Sequence, residues 1–431
     1  MPRLRARLGR FSITAGLALA VCAPGLAQST PALSTEDFLN RLGVNTHLGG
    51  LTPSDPWNTN STQVGTQLNY IGVRLVRDWI QSPEDVADFH KLQLVWRPDG
   101  RFWTSIAEAS PAGQRASLAL TETAYKTYPN LIYAVGGPNE EDDTYPQSLG
   151  ATLPDSAVVQ GLLYQWAHTQ GVPVSQMEFG AGWTAANNWQ GDYAPTNTGL
   201  KQNYVPGPAD FGGGHAYVSS PGQRMGDVLK QLRADANLCT PGKPVAQTEV
   251  GAYTHAHLTP RDYGQSLVMG ALDSVAAGDV AYLVYGLQDS APEATYGFFT
   301  YPAGKANPAA KYFHTLTSLL ETERGSYGPG AKPTFRPAAL PATFANKTTS
   351  HLVMQKPTGE FVIADWSEQL PDENAHDDAD TIRFGRKFAT VSVYDVEQGM
   401  APISVLHGVS QCSLEMEPSD TYLVVLSGVG K

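Results

Sequence analysis

Through most of the chain, short apolar runs alternate with stretches whose apolar positions recur every three to four residues. The short runs, bounded by Gly, Pro or Asn, read as strands buried on both faces; the longer periodic stretches read as helices packed on one side. Strands are expected at residues 43–47, 73–78, 92–96, 131–135, 176–180, 211–217, 245–250 and 280–285. Helices are expected near 60–71, 112–128, 156–170, 222–238, 262–277 and 308–323. Alternation of this kind predicts a parallel α/β architecture, and eight strands match a (β/α)8 TIM barrel over residues 28–324. A doubly wound open sheet is the competing arrangement, but no Gly-x-Gly-x-x-Gly turn follows the first strand.

Past a stretch rich in Gly and Pro at 325–342, the pattern changes to period two. Residues 361–366, 389–394, 403–406 and 422–426 alternate with no helix-length segment between them, which predicts a small antiparallel β-sandwich over 343–431, with Trp366 in its core. At the other end, Arg3, Arg5, Arg7 and Arg10 precede an apolar run at 11–21 too short to span a bilayer, followed by Gly25-Leu26-Ala27. Residues 1–27 therefore read as a cleaved secretory signal, and the expected location is secreted or periplasmic.

The 431 residues carry a formal net charge of −12, and the leader's arginines make the remainder more acidic still. That balance argues against nucleic acid as a partner and favours neutral or weakly charged substrates. No apolar stretch is long enough for membrane insertion. No Cys/His cluster has metal-ligand spacing, so neither a metal nor another cofactor is expected. Cys239 and Cys412 are the cysteines beyond the leader; an oxidising compartment permits their pairing, and small buried thiols are the equal alternative.

In a parallel barrel the chemistry sits at the C-terminal ends of the strands. Those ends carry Asn45 and His47, Arg77 and Asp78, Trp96, Asn139 and Glu140, Glu178, His215 and Tyr217, Glu249, and Gln288 and Asp289, with no nucleophilic Ser or Cys among them. Glu140 follows Gly136-Gly137-Pro138, which stop the fourth strand, and Glu249 ends the seventh, directly across a barrel. Two carboxyls flanking a glycosidic oxygen, one protonated and one ionised, make a glycosidase. Asn139 is expected to bond a sugar hydroxyl, Tyr217 to orient Glu249, and Arg77 to keep Glu249 ionised; the alternative for Arg77 is a partner for Asp78 or another rim acid. His47 and His215 read equally as substrate contacts or as rim histidines. Glu178 is a substrate contact or a buried structural acid. Trp183 and Trp189, after the fifth strand, read as a stacking platform for sugar faces or as packing.

The motifs Gly137-Pro138-Asn139-Glu140, His215-Ala216-Tyr217 and Gln247-Thr248-Glu249 resemble those of clan A retaining glycoside hydrolases. Within that clan the chain is similar to xylosidase/iduronidase-like and exopolysaccharide-hydrolase families, which carry a C-terminal β-sandwich. The resemblance implies Glu140 as acid/base and Glu249 as nucleophile. One departure stands out: the clan often places Trp at the end of strand eight, where this chain has Tyr285-Gly286-Leu287-Gln288-Asp289. The expected function is therefore a secreted retaining hydrolase of O-glycosidic bonds. A non-catalytic carbohydrate-binding protein on a decayed barrel, or a transglycosylase, are the alternatives.

Overall fold

A computed structural model describes residues 30–48, 61–97, 100–107, 109–140, 149–150, 153–176, 178, 208–219, 222–253, 258–289, 297–300, 304–322, 335–369 and 377–429. The expected leader, Trp183, Trp189 and part of the Gly/Pro-rich stretch lie outside them.

The parallel strands are β2 (Leu42–Asn45), β3 (Leu75–Trp79), β4 (Arg101–Ile106), β5 (Ile132–Pro138), β6 (Gly212–Val218), β7 (Val245–Ala252) and β8 (Ala281–Val284). They pair in the order β5-β4-β3-β2-β8-β7-β6, so only the gap between β5 and β6 is left open. Single bridges fill it: Val174 pairs with Val135, Glu178 with Asn139, and Ser175 with Phe211. Val174, Ser175 and Glu178 thus occupy the fifth position of a TIM barrel. Inside the cylinder, Leu75, Trp103, Ala134, Ala246, Ala281 and Leu283 pack on one another. Gly43 faces the same space, where a Cβ would come within 2.5 Å of Leu283 Cδ2.

The third strand is not where the apolar run placed it. Residues 92–96 form the last turn of α3 (Pro83–Trp96), and Arg101–Ile106 is the strand. Ser82 and Asp85 form a capping box with Pro83 in the first turn, which starts a helix. That helix buries Phe89, Leu92 and Trp96 while Leu94 and Val95 face solvent, a helical rather than an alternating spacing. The fifth strand also pairs slightly earlier than its expected start at Gln176.

The second sheet is largely antiparallel and draws strands from both ends of the described chain. β1 (Leu33–Ser34) runs parallel to β10 (Thr349–Gln355), which pairs with β11 (Phe361–Ser367), itself paired with β14 (Thr421–Val429). β12 (Asp378–Asp395) shifts register between Arg383 and Phe388. Its later half pairs with β14, its earlier half with β9 (Thr343–Phe344), and both halves with β13 (Ser404–Met416). At the bend, Gly385 has a left-handed φ of +67°, and a Cβ there would lie 2.7 Å from the Pro341 carbonyl. The sheet folds over itself into a sandwich around Phe361, Ile363, Phe384, Val391 and Leu426. The opposite face of its central strands, including Val362, Trp366 and Leu423, packs into the same core as the barrel helices. Arg261 of α7 (Pro260–Ala276) adds ion pairs to Glu397 at 2.7 Å and Asp420 at 2.6 Å. Cys239 and Cys412 are both free and buried. Among the described residues no helix is long and apolar enough to cross a membrane.

Candidate active site

The strand ends converge on Arg77, which leaves β3 into the barrel mouth with only 2% of its surface exposed. Its Nη1 donates to Glu249 Oε1 at 2.8 Å and to Asn45 Oδ1 at 2.7 Å. Its Nη2 donates to Glu178 Oε2 at 2.6 Å and to Asn139 Oδ1 at 2.5 Å, and its Nε to Ser105 Oγ at 3.1 Å. Burial works against the guanidinium's charge, but Glu178 and Glu249 outweigh it and raise its pKa. A buried cation satisfied on every side is rigid, and so are the groups it holds.

Glu249, at the middle of β7, is buried. Tyr217 donates its hydroxyl to Oε2 at 2.9 Å. Burial raises the Glu249 pKa above the ordinary carboxylate value; His215, Arg77 and the Tyr217 hydrogen bond pull it back, while Glu140 pushes it up. Tyr217 is held neutral, its pKa pushed well up by burial first and by Glu249 second.

Glu140 comes just after β5, with a left-handed φ of 46°, an unusual backbone for a residue with a Cβ. The turn is pinned on both sides: Glu140 N–H donates to the Glu178 carbonyl at 2.7 Å, and Glu178 N–H donates to the Pro138 carbonyl at 3.1 Å. The Glu140 side chain keeps 23% of its surface exposed, against 7% for Glu249. His215 stands between them, Nδ1 2.7 Å from Glu140 Oε1 and Nε2 3.4 Å from Glu249 Oε1. Ligand-type atoms of Glu140, His215 and Glu249 all lie within 4.8 Å of one another. Such a trio is compatible with a divalent cation as well as with shared protons. The guanidinium 2.8 Å from Glu249 Oε1 favours proton sharing, because it would repel a cation bound there.

His47 lies at the rim with φ 90° and its ring edge-on to Trp79 and Tyr285, at centroid distances of 5.7 and 5.0 Å. Burial, then Arg77, lower its pKa to about 4, so it is a neutral imidazole. Asp78 accepts from the backbone N–H groups of His47 and Leu48 and from Thr46 Oγ1, which fixes this rim segment. Tyr285 occupies the end of strand eight, its ring 6.0 Å from that of Tyr217.

The structure thus gathers Glu140, Glu249, Asn139, Arg77, His215 and Tyr217 into one hydrogen-bonded cluster and puts His47 on its rim. Glu178 belongs to the cluster but is fully buried behind Arg77, where its oxygens accept from Arg77, Ser105 and Ser175. That is the structural acid of its two sequence readings. Gln288 and Asp289 turn away, toward Gln67 and toward Gly297 and Asn307. Asn45, Ser105 and Ser175 are parts of the cluster to which the motifs gave no role. Asn45 sits on a strand end and was within reach of that rule. Ser105 lies on the misplaced third strand.

No protein-family profile matches the chain. No curated protein matches it either. Solved structures do. A glucosidase from Croceicoccus marinus is 12% identical, with 93% of this chain and 97% of that one covered at a TM-score of 0.60. A family 39 β-xylosidase from Caulobacter crescentus is 11% identical over 93% and 98%, at 0.57. A family 30 subfamily 8 xylanase from Clostridium acetobutylicum is 12% identical over 93% and 98%, at 0.53. At these identities the likeness shows the fold alone: a TIM barrel carrying a β-sandwich.

Proposed function

We propose that the protein is a retaining glycoside hydrolase acting by double displacement on a neutral or weakly charged oligosaccharide or polysaccharide. The observation that carries this reading is the spacing of Glu140 and Glu249. Their nearest carboxyl oxygens fall within 4.8 Å. Retaining glycosidases hold their two carboxyls about 5–5.5 Å apart, whereas inverting enzymes leave about 6.5–9.5 Å for a water.

Glu249 attacks the anomeric carbon. As that C–O bond forms, the bond to the leaving oxygen breaks and Glu140 gives that oxygen its proton. Glu140, now a carboxylate, takes a proton from water, whose oxygen displaces Glu249 from the sugar. The greater exposure of Glu140 suits the group that must meet both leaving group and water. Glu249, gripped by Arg77 and Tyr217, suits the group whose attack geometry must not drift. His215, next to both, is placed to buffer the proton that Glu140 passes in each half of the cycle. The leader-like residues 1–27 support export, so the substrate would be an extracytoplasmic glycan.

The test is a panel of aryl glycosides and polysaccharides with the purified protein, products sized and the first anomer followed by proton NMR. Release of a sugar with retained configuration supports the reading. Binding without release, or inversion, refutes it, and lengthened products point to transglycosylation.

A further inference from the structure

Glu178 is the residue through which both acids of the site are fixed, although it reaches neither side chain. Its carbonyl accepts the Glu140 N–H at 2.7 Å and so pins the left-handed turn. Its carboxylate takes Arg77 Nη2 at 2.6 Å, while Nη1 of the same guanidinium takes Glu249 at 2.8 Å. The surroundings are shaped for that carboxylate. Ser105 donates to Oε2 at 2.7 Å and Ser175 to Oε1 at 3.2 Å. Gly136 leaves the space it fills, since a Cβ there would lie 2.5 Å from Oε1 and would also strike the Ser105 hydroxyl.

A fully buried carboxylate is costly unless paired, so its persistence here needs Arg77, and Arg77 in turn is divided between two acids. We propose that Glu178 is a positioning residue: it holds Arg77 from behind, aims it at Glu249 and Asn139, and limits how much of its positive charge the nucleophile receives. The proposal rests on the glycosidase reading above. Bound by Glu178 alone, Arg77 would leave Glu249 without a guanidinium partner; facing Glu249 alone, it would make a nucleophile too well stabilised to attack. The other groups bearing on this balance are His215 and Tyr217 from β6, Glu140 after β5, and His47 after β2, which itself feels Arg77. Tyr285 after β8 acts on it through Tyr217.

Glu178→Gln keeps an acceptor for Arg77 and deletes the charge. The ionised form of Glu249 is then favoured, and the acid limb of kcat/KM moves to lower pH by about one unit, the low end of what one unshared guanidinium does to a carboxylate. At neutral pH kcat falls more than KM rises. Glu178→Asp withdraws the carboxylate by one methylene and moves the limb the same way by less; it serves as the readout if the Gln variant does not fold. A merely structural role predicts a lower melting temperature with an unmoved limb, and a folded variant with the wild-type limb overturns the proposal.

The same midpoint is read without substrate from the carboxyl 13C resonance of Glu249, assigned by its loss in Glu249→Gln. A shifted resonance in a protein that hydrolyses no glycoside overturns the glycosidase reading and keeps the role of Glu178 in the charge balance. Hydrolysis with limb and resonance both unshifted overturns the role of Glu178 and keeps the function.

Discussion

Tyr217 donates its hydroxyl to Glu249 Oε2 at 2.9 Å, from the neighbouring strand of the barrel. The bond orients the carboxylate and favours its ionised form. Tyr217→Phe removes both effects while keeping the ring. A hydrogen bond to a charged group contributes about 1.5–3 kcal/mol, so kcat/KM should fall by about tenfold or more. The acid limb should move to higher pH, opposite to the shift expected for Glu178→Gln. Steady-state kinetics across pH on the best aryl glycoside measures both, and an unshifted limb would mean that the hydroxyl does not bear on the nucleophile.

Burial dominates at Glu249 and raises its pKa above the ordinary carboxylate value. Activity in the wild-type protein should therefore fade on the acid side with a midpoint above about 4.3, the usual value for a glutamate. A pH–rate profile that stays flat well below that value contradicts the assignment of Glu249 as a buried nucleophile.

Glu140→Ala should lose at least ~10²-fold in turnover on substrates with poor leaving groups, the scale of a lost general acid. Substrates with good leaving groups should be less affected in their first step, since they need no proton. Added azide should then restore turnover by taking the place of activated water, giving a glycosyl azide of retained configuration. If azide has no effect on Glu140→Ala, the acid/base role passes to another group.

Asp78 ties down the rim beside the site, its carboxylate accepting from Thr46, His47, Leu48 and Trp79. Asp78→Ala strands those donors, at a cost of about 2–3 kcal/mol in folding stability. His47 loses its fixed backbone, so KM should rise as well. Urea unfolding beside kinetics tests this; a loss within about 0.5 kcal/mol, the range of ordinary surface changes, would show that water replaces the carboxylate freely.

Asp273 on α7 faces Glu368 of the second sheet, and burial, with Glu368 next, pushes its pKa up to about 8. The folded chain holds that proton more tightly than the unfolded chain does. The stabilisation is complete below the ordinary carboxylate range and is lost as pH rises toward 8. Asp273→Asn keeps a donor toward Glu368 without a proton to lose. The wild-type melting temperature should fall between about pH 5 and pH 8, and the variant's should fall less, a difference on the order of 1–2 kcal/mol once Arg233 and Arg224 are allowed for. Parallel curves would contradict it.

Local pattern carried much of this architecture. β5, β6 and β7 are legible as short strands and Pro138 ends the first of them, so Asn139 and Glu140 follow a strand end as counted, whereas His215 and Glu249 fall within β6 and β7 rather than at their ends. The third strand lies elsewhere than the pattern suggests because an apolar run at the end of a helix looks like a buried strand; the cap at Ser82 is the signal that marks the helix. The role of Glu178 was out of reach for a different reason. It depends on β3 and the fifth-strand segment meeting across the barrel interior, and no spacing along the chain encodes a contact between residues 101 positions apart. The sandwich strands were visible as period two, but not the fold-over at Gly385, which a single glycine and a register shift produce.

The most direct measurement is covalent trapping. A panel of 2-deoxy-2-fluoro glycosyl fluorides, whose glycosyl-enzymes hydrolyse slowly, is incubated with the protein, followed by intact mass and peptide mapping. The account predicts a mass gain of one fluorosugar, attached to Glu249 and absent from Glu249→Gln. Attachment to any other residue, or hydrolysis of glycosides by Glu249→Gln at the wild-type rate, would contradict it.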